Sequence, residues 1–485
     1  MSDTNDKIPE IRDVPIGLDA QGTRLEFDSL GQVEVPANHY WGAQTQRSLQ
    51  HFKIGDDRMP VEIYRAYGQV KKAAARVNAA AGRLPVWKAT LIEAASDEII
   101  RGALDDEFPL YVWQTGSGTH SNMNANEVIA NRSIQRVGGR LGSQTPIHPN
   151  DDVNRAQSSN DTFPTAMHLA TYTLVAERTL PALQALRDAL DRKAAEWCDV
   201  VKVGRTHLQD ATPITVGQAW SAYVGALDDA VTNLKRSNDG LLELAIGGTA
   251  VGTGLNAPAG FGDAVARELS QLTGYAFTSA ANKFVAQATL DRMVCLHASL
   301  KTTAVTLYKI ANDLRWLGSG PRTGLMELNL PSNEPGSSMM PGKVNPTQAE
   351  AMLMVCIQIM GADVAVQMAG AEGNFELNAF RPVVIYNVLH SAKLMADVCN
   401  RFREHLVEGV TLNMAQLNRN LAQSLMMVTA LVPEIGYDKA AAIAHVAIAQ
   451  GLTLREAALA EGISATTFDR LVVPMAMTRP SESLK

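Results

Sequence analysis

Cysteine is scarce in this chain of 485 residues: Cys198, Cys295, Cys356 and Cys399 stand far apart with no C-x-x-C pair. That spacing argues against a structural zinc site or a dithiol redox centre and fits buried, reduced thiols in a cytoplasmic protein. Basic charge is not in excess either. With 43 Lys and Arg against 50 Asp and Glu, the net charge of −7 leaves no footprint for nucleic acid or an anionic membrane. No apolar run in the sequence is expected to reach the ~18 residues of a membrane span. The first residues, MSDTNDKIPEIRDVPIGLDAQGTR, hold neither the apolar centre of a signal peptide nor the Arg-rich, acid-poor composition of a transit peptide. They are expected to be a flexible extension, residues 1–24, on a cytoplasmic protein.

What is present is helix. Hydrophobic residues make up 46% of the sequence and charged ones 19%, a globular composition too long for one ordinary core. Residues 25–60 mix turn signals with short apolar pieces and read as irregular with little strand. Helical periodicity then runs through Val61–Ala81, Trp87–Leu104, Ala166–Trp197 (with a kink at Pro181), Thr215–Ile246, Thr347–Met368 and Phe380–Gly409. Between Gly274 and Gly318 there is neither Gly nor Pro, and one long helix is expected there. Within it Met293, Leu296, Leu300, Thr303, Leu307, Ile310, Leu314 and Leu317 recur at alternating spacings of three and four. This heptad seam predicts packing against near-parallel partners. The expected fold is all-α: an N-terminal domain (25–155), a central bundle of long helices (156–414) and a small C-terminal domain (415–485). Helices this long leave apolar faces that a second copy of the chain would cover, so a homo-oligomer is expected.

Polar loops interrupt these helices. In TGSGT (115–119) glycines let backbone N–H groups approach an anion and hydroxyls add donors, although the same residues could simply cap a helix beginning near Asn124. HPNDDVNRAQSSND (148–161) holds His148, Asn150, Asp151 and Asp152, but one histidine without an i, i+4 partner argues against metal. Ser158, Ser159 and Asn160 stand before an apolar helix, where they could cap it or bind a carboxylate. VGRTHLQDATP (203–213) sets Thr206 and His207 in a polar loop, where an imidazole could serve as acid, base or structural donor. GGTAVGTGLNAP (247–258) weakly matches a dinucleotide fingerprint, but no strand precedes it, and that reading is rejected. GSSMMPGKVNPTQAE (336–350) places Lys343 beside Ser337, Ser338 and Asn345 in a segment that Gly and Pro keep out of a helix. The lysine is there either solvated or folded onto an anion.

Together these segments resemble the fumarase/aspartase superfamily, and within it the class II fumarases. GSSMMPGKVNP is similar to the superfamily signature G-S-S-x-M-P-x-K-x-N-P. PGKVNPTQAEAM, EGNFELNAFRP (372–382), QSSNDTFPTAMH and GRTHLQDATPITVGQ resemble fumarases, whereas an aspartase would differ after KVNP and carry Thr within Q-S-x-N-D. The resemblance spans nearly the whole chain from about Glu34. It implies a homotetramer with active sites shared by three subunits, no cofactor and no metal, and a small dicarboxylate substrate, fumarate or L-malate, of the tricarboxylic acid cycle. Residue by residue it implies a catalytic Ser337 on a mobile loop and a catalytic Lys343. His207 would be assisted by Glu350 of another chain. Substrate contacts would come from Ser117, Gly118, Thr119, Ser158, Ser159, Asn160, Thr206, Ser338, Lys343, Val344 and Asn345. His148, Pro149, Asn150 and Asp151 match a second anion site. Three positions depart from the pattern: His120 stands where Gln is frequent, Met339 where Ile is common, and KFVAQ (283–287) lacks the Glu that often follows its Phe.

The implied reaction is hydration of fumarate to L-malate through an aci-carboxylate, a highly charged intermediate that fixed donors and a cation would stabilise. Either Ser337 or the His207–Glu350 pair would be the base. Two rivals remain at this stage: an aspartate ammonia-lyase or another lyase of the superfamily, and a helical scaffold that has lost activity.

Overall fold

The computed structural model describes residues 8–480. Along the chain come a hairpin of β1 (Thr23–Asp28) and β2 (Gly31–Pro36), then α1 (Ala43–His51), α2 (Val61–Ala80), α3 (Val86–Ile100), α4 (Thr119–Arg136), α5 (Ser159–Leu174) and α6 (Leu180–Glu196). A second hairpin, β3 (Val201–Thr206) and β4 (Gln209–Thr215), leads to α7 (Val216–Asp239), α8 (Phe261–Thr273), α9 (Lys283–Ala288), α10 (Asp291–Leu317), α11 (Thr347–Ala371), α12 (Arg381–Phe402) and α13 (Met414–Gln423). Four further helices, from Val432–Ile435 to Ala465–Leu471, follow. The predicted all-α class holds, with strands confined to two-stranded pairs among the described residues.

Several local expectations need correction. Residues 25–60 are more regular than expected: β1 and β2 pair in register from Thr23–Pro36 to Asp28–Gly31, turning where Gly31 takes φ 113°. The extension expected over 1–24 falls partly outside the described residues, but Arg12 N–H donates to Arg136 O (2.7 Å) and Arg132 holds the Val14 and Pro15 carbonyls. The helix foreseen after Gly274 starts only at Asp291. Before it, Asn282 caps the short α9 and Thr289 is extended, so the chain turns twice without Gly or Pro. The heptad residues from Met293 to Leu314 are buried as the seam requires. Near Pro181 the predicted kink is a turn of π-helix, Val175–Thr179, between α5 and α6. The ring supplies no N–H to the preceding turn, and the backbone widens there. Finally, Cys356 and Cys399 are buried as expected, but Cys198 and Cys295 are exposed, and all four are free thiols.

The chain forms two compact units. The first comprises residues up to Thr179 with Asn233–Lys301 and Gln358–Leu394. Its centre is α2, packed on α3, α5 and α8. Ile63, Tyr64, Tyr67, Val70 and Ala74 form the buried stripe of α2, and Tyr64 stacks on Phe108 with ring centroids 4.2 Å apart. The second unit comprises Leu180–Thr232, Thr302–Ile357 and the residues from Met395 onward. There the Trp197 and Trp220 rings meet edge to face, and β3 packs against α13. The C-terminal helices enclose a core of their own around Leu431, Ile443, Leu454, Ala457 and Phe468.

Helix α11 overturns the expectation about long apolar runs. Thr347–Ala371 is long and apolar enough to cross a membrane, with 39% of its most apolar window buried. Its middle, however, carries Asp363, which is 2% exposed and accepts hydrogen bonds from Lys301 and Gln367. His297 of α10 lies 2.9 Å from both Asp363 and Ser391 of α12. A carboxylate bound into such a network belongs to a protein core rather than to lipid. The opposite face is unoccupied in the single chain: Met354, Ile357, Gly361, Val364 and Met368 are all exposed. Their spacing of three and four makes a second seam, with Gly361 open to close approach.

Candidate active site

The first unit builds an anion cradle from two helix starts. The predicted start of α4 near Asn124 is five residues late, because Gly118 takes φ 80° and becomes the residue before the helix. Gly118 has no side chain to cap α4; instead Thr119 N–H donates to Ser117 Oγ (3.4 Å) and Ser121 N–H to Gln114 Oε1 (3.2 Å), so the preceding loop covers part of the helix start. The glycines are required by crowding: a Cβ on Gly118 would lie 2.3 Å from the Phe163 ring, and one on Gly116 would fall 1.4 Å from the Ala379 carbonyl oxygen. At the start of α5, Ser158 and Asp161 form a capping box, with Ser158 Oγ accepting from Asn160 N–H (3.2 Å) and Asp161 accepting from Ser158 N–H (2.9 Å). Ser159 Oγ then reaches Thr119 Oγ1 at 2.7 Å, and Thr119 Oγ1 reaches Ser117 Oγ at 2.8 Å. Three hydroxyls thus form a chain across the positive ends of two helices, a surface suited to a carboxylate. Asn160 turns aside, donating to Ala250 O at 2.7 Å.

Two residues that sequence reasoning left without a role hold this cradle. Arg381, fully buried, donates its backbone N–H to Gly116 O (3.1 Å), while its guanidinium donates to Gln287 O (2.9 Å) and Ser117 O (3.5 Å). Burial pulls the Arg381 guanidinium down to about 10. Asp161 spends its second oxygen on Gly247 N–H (3.0 Å) and Thr249 N–H (2.9 Å). That explains the glycine-rich segment 247–258: Gly247 takes φ 92° and Thr249 φ 55°, and the strained loop braces the start of α5. Arg381 lay inside EGNFELNAFRP, and its burial was the missing signal.

The expected second anion site is a turn in the same unit. His148 Nδ1 accepts from the N–H groups of Asn150 and Asp151 at 3.1 Å each, so the ring itself occupies those donors. Asp152 Oδ2 accepts from His148 N–H (2.8 Å) and Lys88 Nζ (2.9 Å). Pro149 begins a turn of π-helix, Pro149–Val153. A cavity of about 240 Å³ beside it is lined by His148, Pro149 and Asn150 but also by Glu26, Asp28 and Glu127. Among the described residues, no group of three or more His, Cys, Asp or Glu side chains is placed to hold a metal ion.

In the second unit, β3 and β4 present Thr206 and His207 at their tip. His207 and Leu208 take φ 57° and 60°, and both side chains are exposed. Positive φ at both turn residues matches the twist of a tight hairpin, at a cost for residues other than Gly, Asn or Asp. Beneath it, Glu327 is 1% exposed and takes Arg205 at 2.6 Å and Lys202 at 3.1 Å. Burial works to raise the Glu327 carboxyl, but Arg205 and Lys202 hold it below its ordinary range. The pair fixes the hairpin that carries His207.

The loop 336–345 closes on itself: Gly336 N–H donates to Lys343 O (2.9 Å), and Asn345 Nδ2 donates to Gly336 O (2.5 Å). Ser337 Oγ accepts two backbone N–H groups, from Met339 at 3.2 Å and Met340 at 2.9 Å. Ser338, Lys343, Val344 and Glu350 are exposed, Glu350 in the first turn of α11. Among the described residues of one chain, no hydrogen bond or ion pair joins His207 to Glu350. Each unit therefore gathers part of the predicted site: Ser117, Thr119, Ser158 and Ser159 in one, Ser337 and the loop around it in the other.

Hydroxyls at two helix starts and a serine held by backbone donors suit a carboxylate substrate, and similarity to known proteins gives the class, a lyase. Residues 31–361 match a family model described as Lyase, and residues 427–479 match one described as Fumarase C C-terminus. The chain is 62% identical over 480 residues to "Fumarate hydratase class II" of Methanosarcina acetivorans, covering 99% of both. It is 58% identical to the protein of that name from Thermosynechococcus vestitus, covering 93% of this chain and 97% of the relative. Among solved structures, a class II fumarase from Schistosoma mansoni superposes with a TM-score of 0.93 at 42% identity, covering 95% of this chain and all of that one. The chain belongs to the class II fumarate hydratase family.

Proposed function

We infer that the chain is a hydro-lyase that interconverts fumarate and L-malate. The observation that carries this reading is Ser337 Oγ with two backbone N–H donors upon it. A serine hydroxyl is a poor base, and two fixed donors stabilise its alkoxide in the way an oxyanion site does. In the direction of fumarate, the Ser337 alkoxide takes the C3 proton of malate, and the C–H electrons pass into the adjacent carboxylate. That group becomes an aci-carboxylate, stabilised by Lys343 and Asn345. The C2–O bond then breaks, and His207, with Glu350 beside it, gives the leaving hydroxyl a proton so that it departs as water. The hydroxyls of Ser117, Thr119 and Ser159 and the start of α4 hold the carboxylates, and Thr206, Ser338 and Val344 complete the contacts. No metal or organic cofactor takes part. The resemblance would make the turn His148–Asp151 a second anion site, where an anion would have to displace the His148 ring from the Asn150 and Asp151 N–H groups.

The active enzyme is a homotetramer whose sites draw on three subunits. The exposed seam of Met354, Ile357, Gly361, Val364 and Met368 supports this reading, because a face that apolar is stable when another helix covers it. Among the described residues of one chain neither the His207 nor the Glu350 side chain has a hydrogen bond or ion pair, which fits a pair made between copies. The four free thiols support a reducing compartment, the cytoplasm, where the reaction is a step of the tricarboxylic acid cycle.

The test is to follow fumarate absorbance with purified protein, with and without ammonium. Loss of fumarate in water alone, with malate formed, supports a hydratase. Consumption only with ammonium would make the protein an aspartate ammonia-lyase, and inertness to fumarate, malate and aspartate would make it a scaffold.

A further inference from the structure

Lys71 is a buried cation outside the catalytic set. It lies on α2 and is 0% exposed, and among the described residues it forms no ion pair. Its Nζ donates to Asn122 Oδ1 at 2.7 Å, Asn154 Oδ1 at 2.9 Å and Gln157 Oε1 at 3.0 Å. The three amides are oriented by their own donations: Asn122 Nδ2 to Asn154 Oδ1 (3.2 Å), Asn154 Nδ2 to Gln157 O (3.2 Å), and Gln157 Nε2 to Val153 O (3.1 Å) and Arg155 O (3.2 Å). Three acceptors around one nitrogen match an ammonium, which has three N–H groups and no lone pair. A neutral amine would set its lone pair against one of those oxygens. Burial nevertheless pulls Lys71 down to about 7, against the attraction of Asp161. The charge is therefore held at a cost, and the Asp161 carboxylate is already engaged by the N–H groups of Ser158, Gly247 and Thr249.

Its partners show what it could serve. Asn122 lies one turn into α4 from Thr119, and Gln157 directly precedes Ser158. One nitrogen thus binds both segments whose starts form the carboxylate cradle.

We propose that Lys71 is a positioning residue and a fixed positive charge behind that cradle, joining the starts of α4 and α5 and strengthening the hold on a dianionic ligand it does not touch. Taking that ligand to be the dicarboxylate substrate rests on the reading in the preceding section.

Calorimetric titration with succinate, an unreactive dicarboxylate, and with butyrate, a monocarboxylate, separates charge from scaffolding. Two variants are compared with the wild type. Lys71→Met removes the charge and its bonds, whereas Asn154→Asp keeps the acceptor but sets a negative charge beside the ammonium. Both are expected to weaken succinate binding by about tenfold or more, and butyrate binding less, because the field acts on each ligand charge. The KM for fumarate should rise in step, with the oligomer and the helical circular dichroism unchanged. Wild-type affinity in Asn154→Asp would overturn the charge role, and this variant decides alone if Lys71→Met does not fold. Equal losses for succinate and butyrate would also overturn it. A wild type that binds succinate but does not hydrate fumarate would refute the proposed function and leave Lys71 to be judged by succinate. Absence of both would refute both.

Discussion

Thr119 Oγ1 and Ser159 Oγ lie 2.7 Å apart, each on the first residue of its helix. Forty residues of sequence separate them, yet the hydroxyls share one hydrogen bond at the positive ends of α4 and α5. A carboxylate placed there would meet both hydroxyls at the positive ends of the two helices. Thr119→Val keeps the shape and removes one donor. A hydrogen bond to a charged group contributes about 1.5–3 kcal/mol, so KM for fumarate should rise roughly ten- to a hundredfold. Steady-state kinetics of the folded variant check this, and an unchanged KM would place the substrate elsewhere.

Ser337→Ala removes the oxygen that Met339 and Met340 N–H hold. If that oxygen is the base, kcat should fall by about two to four orders of magnitude, with KM and melting temperature near those of the wild type. Turnover within a few-fold of the wild type would return the base to the His207–Glu350 pair.

Arg381→Met takes the guanidinium donor from Ser117 O and leaves Gln287 O with the Asn378 N–H alone, in a buried place. Unsatisfied buried acceptors cost about 1–3 kcal/mol each, so chemical denaturation should show a loss of that order. The Gly116–Ser117 backbone would loosen as well, raising KM. Full stability in this variant would mean that the cradle is held by other contacts.

Acid stability follows from two histidines. Burial brings His120 and His168 down to about 4 from 6.5. The unfolded chain takes up their protons as pH falls through 6.5, while the folded chain refuses them until about 4. Their contribution is therefore fully present above pH 6.5 and is lost progressively between 6.5 and 4. Melting temperatures across this window should fall less steeply in His168→Gln than in the wild type, and parallel curves would exclude His168.

Ile357→Glu places a charge on the exposed seam of α11, where a covering helix would have to bury it. Sedimentation should show species smaller than the wild type, and activity should fall with the loss of the proposed tetramer. In addition, mixing inactive Ser337→Ala and His207→Asn subunits through unfolding and refolding should restore turnover, because some sites then draw both intact residues from different copies. A mixture that stays inactive would confine the site to one chain.

The helical periods were legible because helix formation is local: the stripe of α2 and the seam of α10 repeat at spacings that backbone geometry sets. Loops were legible as loops because Gly and Pro restrict the backbone in place. The helix expected after Gly274 failed for a complementary reason: Asn282 and Thr289 end and begin structure through their own hydrogen bonds and dihedrals, signals weaker than a missing Gly or Pro. The first turn of α4 was misplaced because Gly118 reads as a loop residue until its φ of 80° shows it to be a cap.

The sequence by itself determined the helical class, the polar loops between helices and, through its resemblance, the residues to examine. Only the tertiary structure decided which of them meet. Lys71 sits in the apolar stripe of α2 and reads as an exception to the pattern; its meaning lies in Asn122, Asn154 and Gln157, more than fifty residues away. Arg381 acquires its role from Gly116 and Ser117, and the glycines at 247–254 from Asp161. Such contacts depend on how distant segments pack, and no local pattern records them, because a buried charge is stable only where the whole fold brings donors and acceptors to it.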